Sequence, residues 1–106
     1  MTVSTHVLDA ASGRPARDVP VRLEQRTADG WTVLQDGTTD DDGRLSDFGV
    51  PTPAGVYRLH FDTAAYVGAH AFFPEVAVVF KITDADARHH VPLLLSPYAY
   101  STYRGS

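Results

Sequence analysis

The chain contains no cysteine in 106 residues. That excludes thiol nucleophiles, thiolate metal ligands and disulfide staples. Small secreted domains ordinarily carry disulfides, so the lack of them points to the cytoplasm. Long apolar runs are missing too, and nothing approaches the roughly 18–20 residues that cross a bilayer. The opening Met1-Thr2-Val3-Ser4-Thr5-His6 has neither the basic flank nor the apolar stretch of a secretory leader. The closing Arg104-Gly105-Ser106 is not the peroxisomal Ser-Lys-Leu signal. Cations are in deficit, with 9 Lys and Arg against 13 Asp and Glu and a net charge of −4. A nucleic-acid binder would show a basic patch instead. The expectation is a soluble, cytoplasmic protein with no nucleic-acid and no membrane partner.

What remains is a single domain spanning residues 1–106, too short for separate catalytic and binding modules. Hydrophobic residues make up 43% and charged residues 21%, as in an ordinary globular domain. A chain this short buries only about two-thirds of its unfolded surface, and oligomerisation is one way to bury more. Nothing repeats internally. Period-two alternation is the dominant pattern: Val19, Val21 and Leu23 oppose Arg22 and Glu24, and Tyr57, Leu59 and Phe61 oppose Val56, Arg58 and His60. Val76, Val78, Phe80 and Ile82 repeat it. Further strands are expected over 5–8, 31–34, from Arg44 toward Phe48, over 89–95 and over 98–103. Turns are expected at Ala28-Asp29-Gly30, Asp36-Gly37 and Asp40-Asp41-Asp42-Gly43. Asp62 to His70 is the one plausible helix, with Asp62 as N-cap and Gly68 weakening it. About eight short strands at regular spacing imply an all-β sandwich or barrel.

The chemistry-bearing residues are sparse. Five histidines invite a metal reading, but no His-x-His or His-x-x-x-His pair occurs. His89 and His90 are adjacent, so on a strand they point to opposite faces. A metal site is not expected, and His60, His70 and His89 read most simply as surface residues. Neither a Gly-x-Ser-x-Gly elbow nor a phosphate-cradling glycine loop is present. Two imidazoles, His6 and His90, together with the Arg44 guanidinium suit metal-free hydrolysis of a small cyclic amide. Neutral histidine can take a proton from water near pH 7 and its partner can return one. Arginine can clamp a carbonyl or heterocyclic anion through its planar fork. From spacing alone each could equally be a solvated strand residue.

Residues 89–106, His-His-Val-Pro-Leu-Leu-Leu-Ser-Pro-Tyr-Ala-Tyr-Ser-Thr-Tyr-Arg-Gly-Ser, resemble the C-terminal signature of the 5-hydroxyisourate hydrolases, which are transthyretin-like proteins. Thr5-His6-Val7-Leu8-Asp9 with Gly13-Arg14-Pro15-Ala16 is similar to the family's opening motif. Asp42-Gly43-Arg44 and Phe72-Phe73-Pro74-Glu75-Val76 resemble two further motifs. The likeness spans nearly the whole chain in order. It implies a transthyretin-like β-sandwich of two four-stranded sheets with one short helix between the fifth and sixth strands. It also implies a homotetramer with sites in a channel where dimers meet. The implied reaction is hydrolysis of 5-hydroxyisourate to 2-oxo-4-hydroxy-4-carboxy-5-ureidoimidazoline in urate degradation, without metal or organic cofactor.

Carried over residue by residue, the resemblance implies catalytic roles for His6, Arg44 and His90, with Tyr103, Arg104, Gly105 and Ser106 shaping the substrate pocket. Ser106 brings a hydroxyl and, if nothing follows it, a terminal carboxylate. Which histidine is the base stays open. Strand parity lets His90 face a channel while Val91, Leu93 and Leu95 fill the core. Two departures stand out. The stretch from Tyr66 to Phe72 is short, so a trimmed helix is expected, and His89 replaces a residue often aromatic in relatives and reads as structural. The competing reading is a non-enzymatic transthyretin-like carrier of a small aromatic ligand. Such carriers lack the Tyr-Arg-Gly-Ser tail and the His/Arg set. A structural sandwich module is a third reading, and it leaves the tail without a role.

Overall fold

Period-two alternation decides most of the architecture in the computed structural model, which describes residues 2–106. Among these residues the strands are β1 (Thr2–Asp9), β2 (Arg14–Pro15), β3 (Pro20–Thr27), β4 (Gly30–Thr38), β5 (Arg44–Leu45) and β6 (Gly55–Phe61). Helix α1 (Thr63–Val67) follows, then β7 (Val76–Ile82), β8 (Arg88–His90), β9 (Leu93–Ser96) and β10 (Ala99–Thr102). One sheet runs β4–β3–β6–β7 and is antiparallel throughout. The other runs β10–β9–β1–β2, with β5 and β8 also paired to β1. The expected all-β sandwich with one short helix is therefore present. Its first sheet is a plain four-stranded one, and its second is divided into six strand segments.

The division has a local cause. The expected single strand over 89–95 is split because Pro92 has no N–H to donate. Val91 keeps its place by donating to the Ser4 carbonyl at 2.9 Å. The register continues across the gap, with Ser4 opposite His90 and Val7 opposite Leu93. Val3, Thr5 and Val7 of β1 point inward and are buried with Leu93 and Leu95. Leu23, Tyr57, Leu59 and Phe61 meet them from the other sheet. Each such side chain contributes about 1.5–3 kcal/mol by leaving water.

Other expectations change as well, and the strand expected from Arg44 toward Phe48 ends at Leu45. Asp36-Gly37 is not a turn but lies within β4, where Gly37 pairs with Val21 and Asp36 with Arg22. A Cβ on Gly37 would stand 2.9 Å from Leu45 Cδ2, so this glycine makes room for a side chain arriving from β5. Helix α1 is five residues long and stops before His70. Asp62 caps it by accepting from the Ala65 N–H, and Gly68 ends it at φ 103. His89 is buried rather than on the surface, because Arg88 and His90 point outward and strand parity turns His89 into the core.

Candidate active site

Strand β1 organises the site. Its inward residues are Val3, Thr5 and Val7, so Ser4 and His6 share the outward face. Residues directly paired across strands project to the same side. Arg44 of β5 is paired with His6 on one flank of β1. His90 of β8 is paired with Ser4 on the other flank, with Arg88 two residues before it on the same face. Two imidazoles and two guanidiniums from three strands thus meet on one surface of the sandwich.

Hydrogen bonds set the imidazoles. His6 Nε2 lies 2.8 Å from the Asp42 carbonyl oxygen. A carbonyl only accepts, so neutral His6 carries its proton on Nε2 and presents a bare Nδ1. His90 Nδ1 lies 2.8 Å from Ser4 Oγ. Burial pushes the His90 pKa below the ordinary value of 6.5, and the charges of Arg44 and His6 push it the same way. Hydrogen bonding to Ser4 opposes them, and the net direction keeps His90 neutral at neutral pH.

A cavity of about 430 Å³ opens on this face. It is lined by Ser4, Thr5, Arg44, Ser46, Asp47, Arg88, His90 and Ser106. His6 is not among the lining residues, but it pairs directly with Arg44, which is. Among the described residues neither guanidinium is in an ion pair. No group of three His, Asp or Glu side chains among the described residues is placed to share a metal ion.

The tail divides in two. Gly105 donates its N–H to the His90 carbonyl at 2.8 Å and forms an isolated bridge with that residue. A Cβ at Gly105 would fall 2.5 Å from His90 Cδ2, so only glycine lets the backbone lie this close to the imidazole. Ser106 then reaches the main cavity. Tyr103 and Arg104 do not. They line a neighbouring cavity of about 320 Å³ with Val78, Phe80 and Lys81, and His90 borders both.

Of the residues singled out from sequence, His6, Arg44, His90, Gly105 and Ser106 come together, whereas Tyr103 and Arg104 sit next door. Sequence reasoning missed Ser4 and Arg88, which lie two residues from His6 and His90 on the same strand faces. Period two around each histidine was the available signal. Ser46 and Asp47 carried none, because their place depends on where the chain turns after β5.

A two-sheet sandwich with a histidine–arginine cluster on the outer face of its central strand defines a transthyretin-like protein equipped for chemistry. The model of the HIUase/Transthyretin family matches residues 3–105, and the chain belongs to that family. It is 47% identical over 109 residues to the 5-hydroxyisourate hydrolase of Salmonella dublin, covering 98% of this chain and 80% of that protein. The solved structure of Klebsiella pneumoniae 5-hydroxyisourate hydrolase superposes with a TM-score of 0.87 at 36% identity, covering 100% of both chains. Sea bream transthyretin in complex with thyroxine gives 0.89 at 36% identity, over 99% of this chain and 95% of that one.

Proposed function

We propose that this protein hydrolyses 5-hydroxyisourate to 2-oxo-4-hydroxy-4-carboxy-5-ureidoimidazoline, a step of urate degradation. The observation that carries the reading is the convergence of His6, Arg44 and His90 on one face of the sheet, where Arg44 and His90 line the cavity, in a chain so similar to named hydrolases. Fold alone does not decide, since a thyroxine-binding transthyretin superposes equally well. A non-enzymatic carrier is the alternative, and it rests on that fold likeness.

Water adds to the ring amide carbonyl, the C–N bond breaks, and the fragments become the carboxylate and the ureido nitrogen of the product. One imidazole takes a proton from water and becomes an imidazolium, and that proton passes to the departing nitrogen, directly or relayed through the other imidazole, which restores both histidines. His90, whose pKa is pushed below its ordinary value, suits the accepting role, and the hydrogen bond from His6 Nε2 leaves Nδ1 as the accepting atom of a neutral His6. Arg44 holds the carbonyl oxygen as negative charge develops on it. Arg88, which like Arg44 is in no ion pair among the described residues, attracts and orients the heterocycle. Ser106 and Gly105 close the pocket against His90, and Tyr103 and Arg104 wall its neighbour.

The proposal includes a homotetramer in the cytoplasm, with its sites where dimers meet and with no membrane or nucleic-acid partner. The described residues contain no helix long and apolar enough to cross a membrane. Exposed Phe72, Tyr98 and Tyr100 give a partner subunit apolar surface to cover. The test is to add freshly generated 5-hydroxyisourate and follow its ultraviolet decay. Acceleration in proportion to protein supports the reading, and decay at the spontaneous rate removes it.

A further inference from the structure

Asp40 lies outside the cavity, yet four hydrogen bonds of the turn before β5 converge on it. Its carboxylate Oδ1 accepts from the Asp42 N–H and from the Arg44 N–H, each at 2.9 Å. Its own N–H donates to the Arg44 carbonyl, and its carbonyl accepts from the Gly43 N–H, again each at 2.9 Å. Gly43 N–H and the Asp42 carbonyl belong to one planar peptide, in which they point in opposite directions. Fixing the N–H on Asp40 therefore aims the carbonyl away from Asp40, toward His6 Nε2. The Asp40 carboxylate clamps the peptides on both sides of that plane. Gly43, at φ 73, completes the clamp: its carbonyl accepts from Val7 N–H at 2.7 Å, and a Cβ there would meet the Val7 oxygen at 2.4 Å.

We infer that Asp40 is a positioning residue, which holds the Asp42 carbonyl on His6 Nε2 and so selects the tautomer with Nδ1 free, while anchoring the backbone of Arg44. This rests on the reading of His6 as a working group of the hydrolase. Loss of activity in His6→Ala tests that reading, and the tautomer of His6 tests this inference separately. Nitrogen-15 NMR of the imidazoles tells which nitrogen carries the proton. In the wild type, His6 is expected to be protonated on Nε2 when neutral. Asp40→Asn retains the accepting oxygen and is expected to keep this tautomer and a kcat within about twofold.

Asp40→Ala removes the clamp. Its His6 is expected to become a mixture of tautomers, with kcat falling about tenfold or more while KM changes less. Asp40→Glu keeps the charge but lengthens the arm, and gives the same readout should the alanine variant not fold. The inference is overturned if wild-type His6 carries its proton on Nδ1, or if Asp40→Asn behaves like Asp40→Ala. It is equally overturned if Asp40→Ala, or Asp40→Glu in its place, keeps the wild-type tautomer, whatever happens to its rate.

Discussion

The outer faces of the two sheets treat charge in opposite ways. On the β4–β3–β6–β7 sheet, three pairs tie charged groups together, while Arg26 rests on the Trp31 ring and Lys81 is in no ion pair among the described residues. Glu24 is buried and takes two hydrogen bonds from Arg58, at 2.8 and 3.0 Å. The Arg58 guanidinium in turn lies 4.3 Å from the Trp31 ring centroid. Hydrogen bonding to Arg58 holds the Glu24 carboxyl below its usual range. Arg22 pairs with Asp36, and His60 with Glu75. On the β1 face, Arg44 and Arg88 have no ion-pair partner among the described residues, beside His6 and His90. Paired charges hold a sheet together, and gathered unpaired ones leave their field for a ligand. The contrast separates the structural half of the molecule from the working half.

That contrast can be broken from the working side first. Deleting residues 103–106 strips Gly105 from His90 and Ser106 from the cavity. Activity is expected to fall at least about a hundredfold, with the far-ultraviolet circular dichroism spectrum retained. A truncated protein with full activity would undo this account of the tail. On the structural side, Arg58→Ala leaves Glu24 buried without its cation. Denaturant titration should show a loss of about 2 kcal/mol, less than for a fully buried pair because Arg58 is partly exposed. Its specific activity, measured on folded protein, should stay near wild type.

Smaller effects sharpen the same division. Arg88→Ala should raise KM about tenfold with little change in kcat, and Arg88→Lys should recover part of the loss. Steady-state kinetics at low and high salt would check this, since the guanidinium contribution weakens on screening. The gentlest probe is the titration of His90. Removing the Arg44 charge takes away one cause of its low pKa, so Arg44→Leu should move the His90 NMR titration upward toward 6.5. The sign also bears on stability and rate. A histidine whose folded pKa is depressed favours the folded state above pH 6.5, and that contribution is lost as pH falls through the folded value. The acid limb of the wild-type rate profile should accordingly lie below 6.5 if neutral His90 is required.

Much of this division was legible in the residues. Tyr57, Leu59 and Phe61 announced an inward face, Asp62 announced a helix start, and the ordered motifs around His6, Arg44 and His90 marked one surface. What escaped depends on partners distant in sequence. Asp36-Gly37 reads as a turn until Leu45 of β5 arrives and needs the space. Arg88 falls just before the expected strand over 89–95 and draws no notice until β8 extends back to it and sets it on the cavity with Arg44. Asp40 looks like one more carboxylate in an acidic turn, because the value of its oxygen lies in the peptides it holds. The different surroundings of Tyr103 and Arg104 were hidden for the same reason, since β7 supplies the wall they face.

The most direct test is the initial rate of 5-hydroxyisourate decay with His6→Ala, Arg44→Ala and His90→Ala beside the wild type, on samples matched for folded protein. The account predicts that each substitution lowers the catalysed rate by about 10²–10⁴ while leaving the sandwich folded. Wild-type rates in all three variants would contradict it.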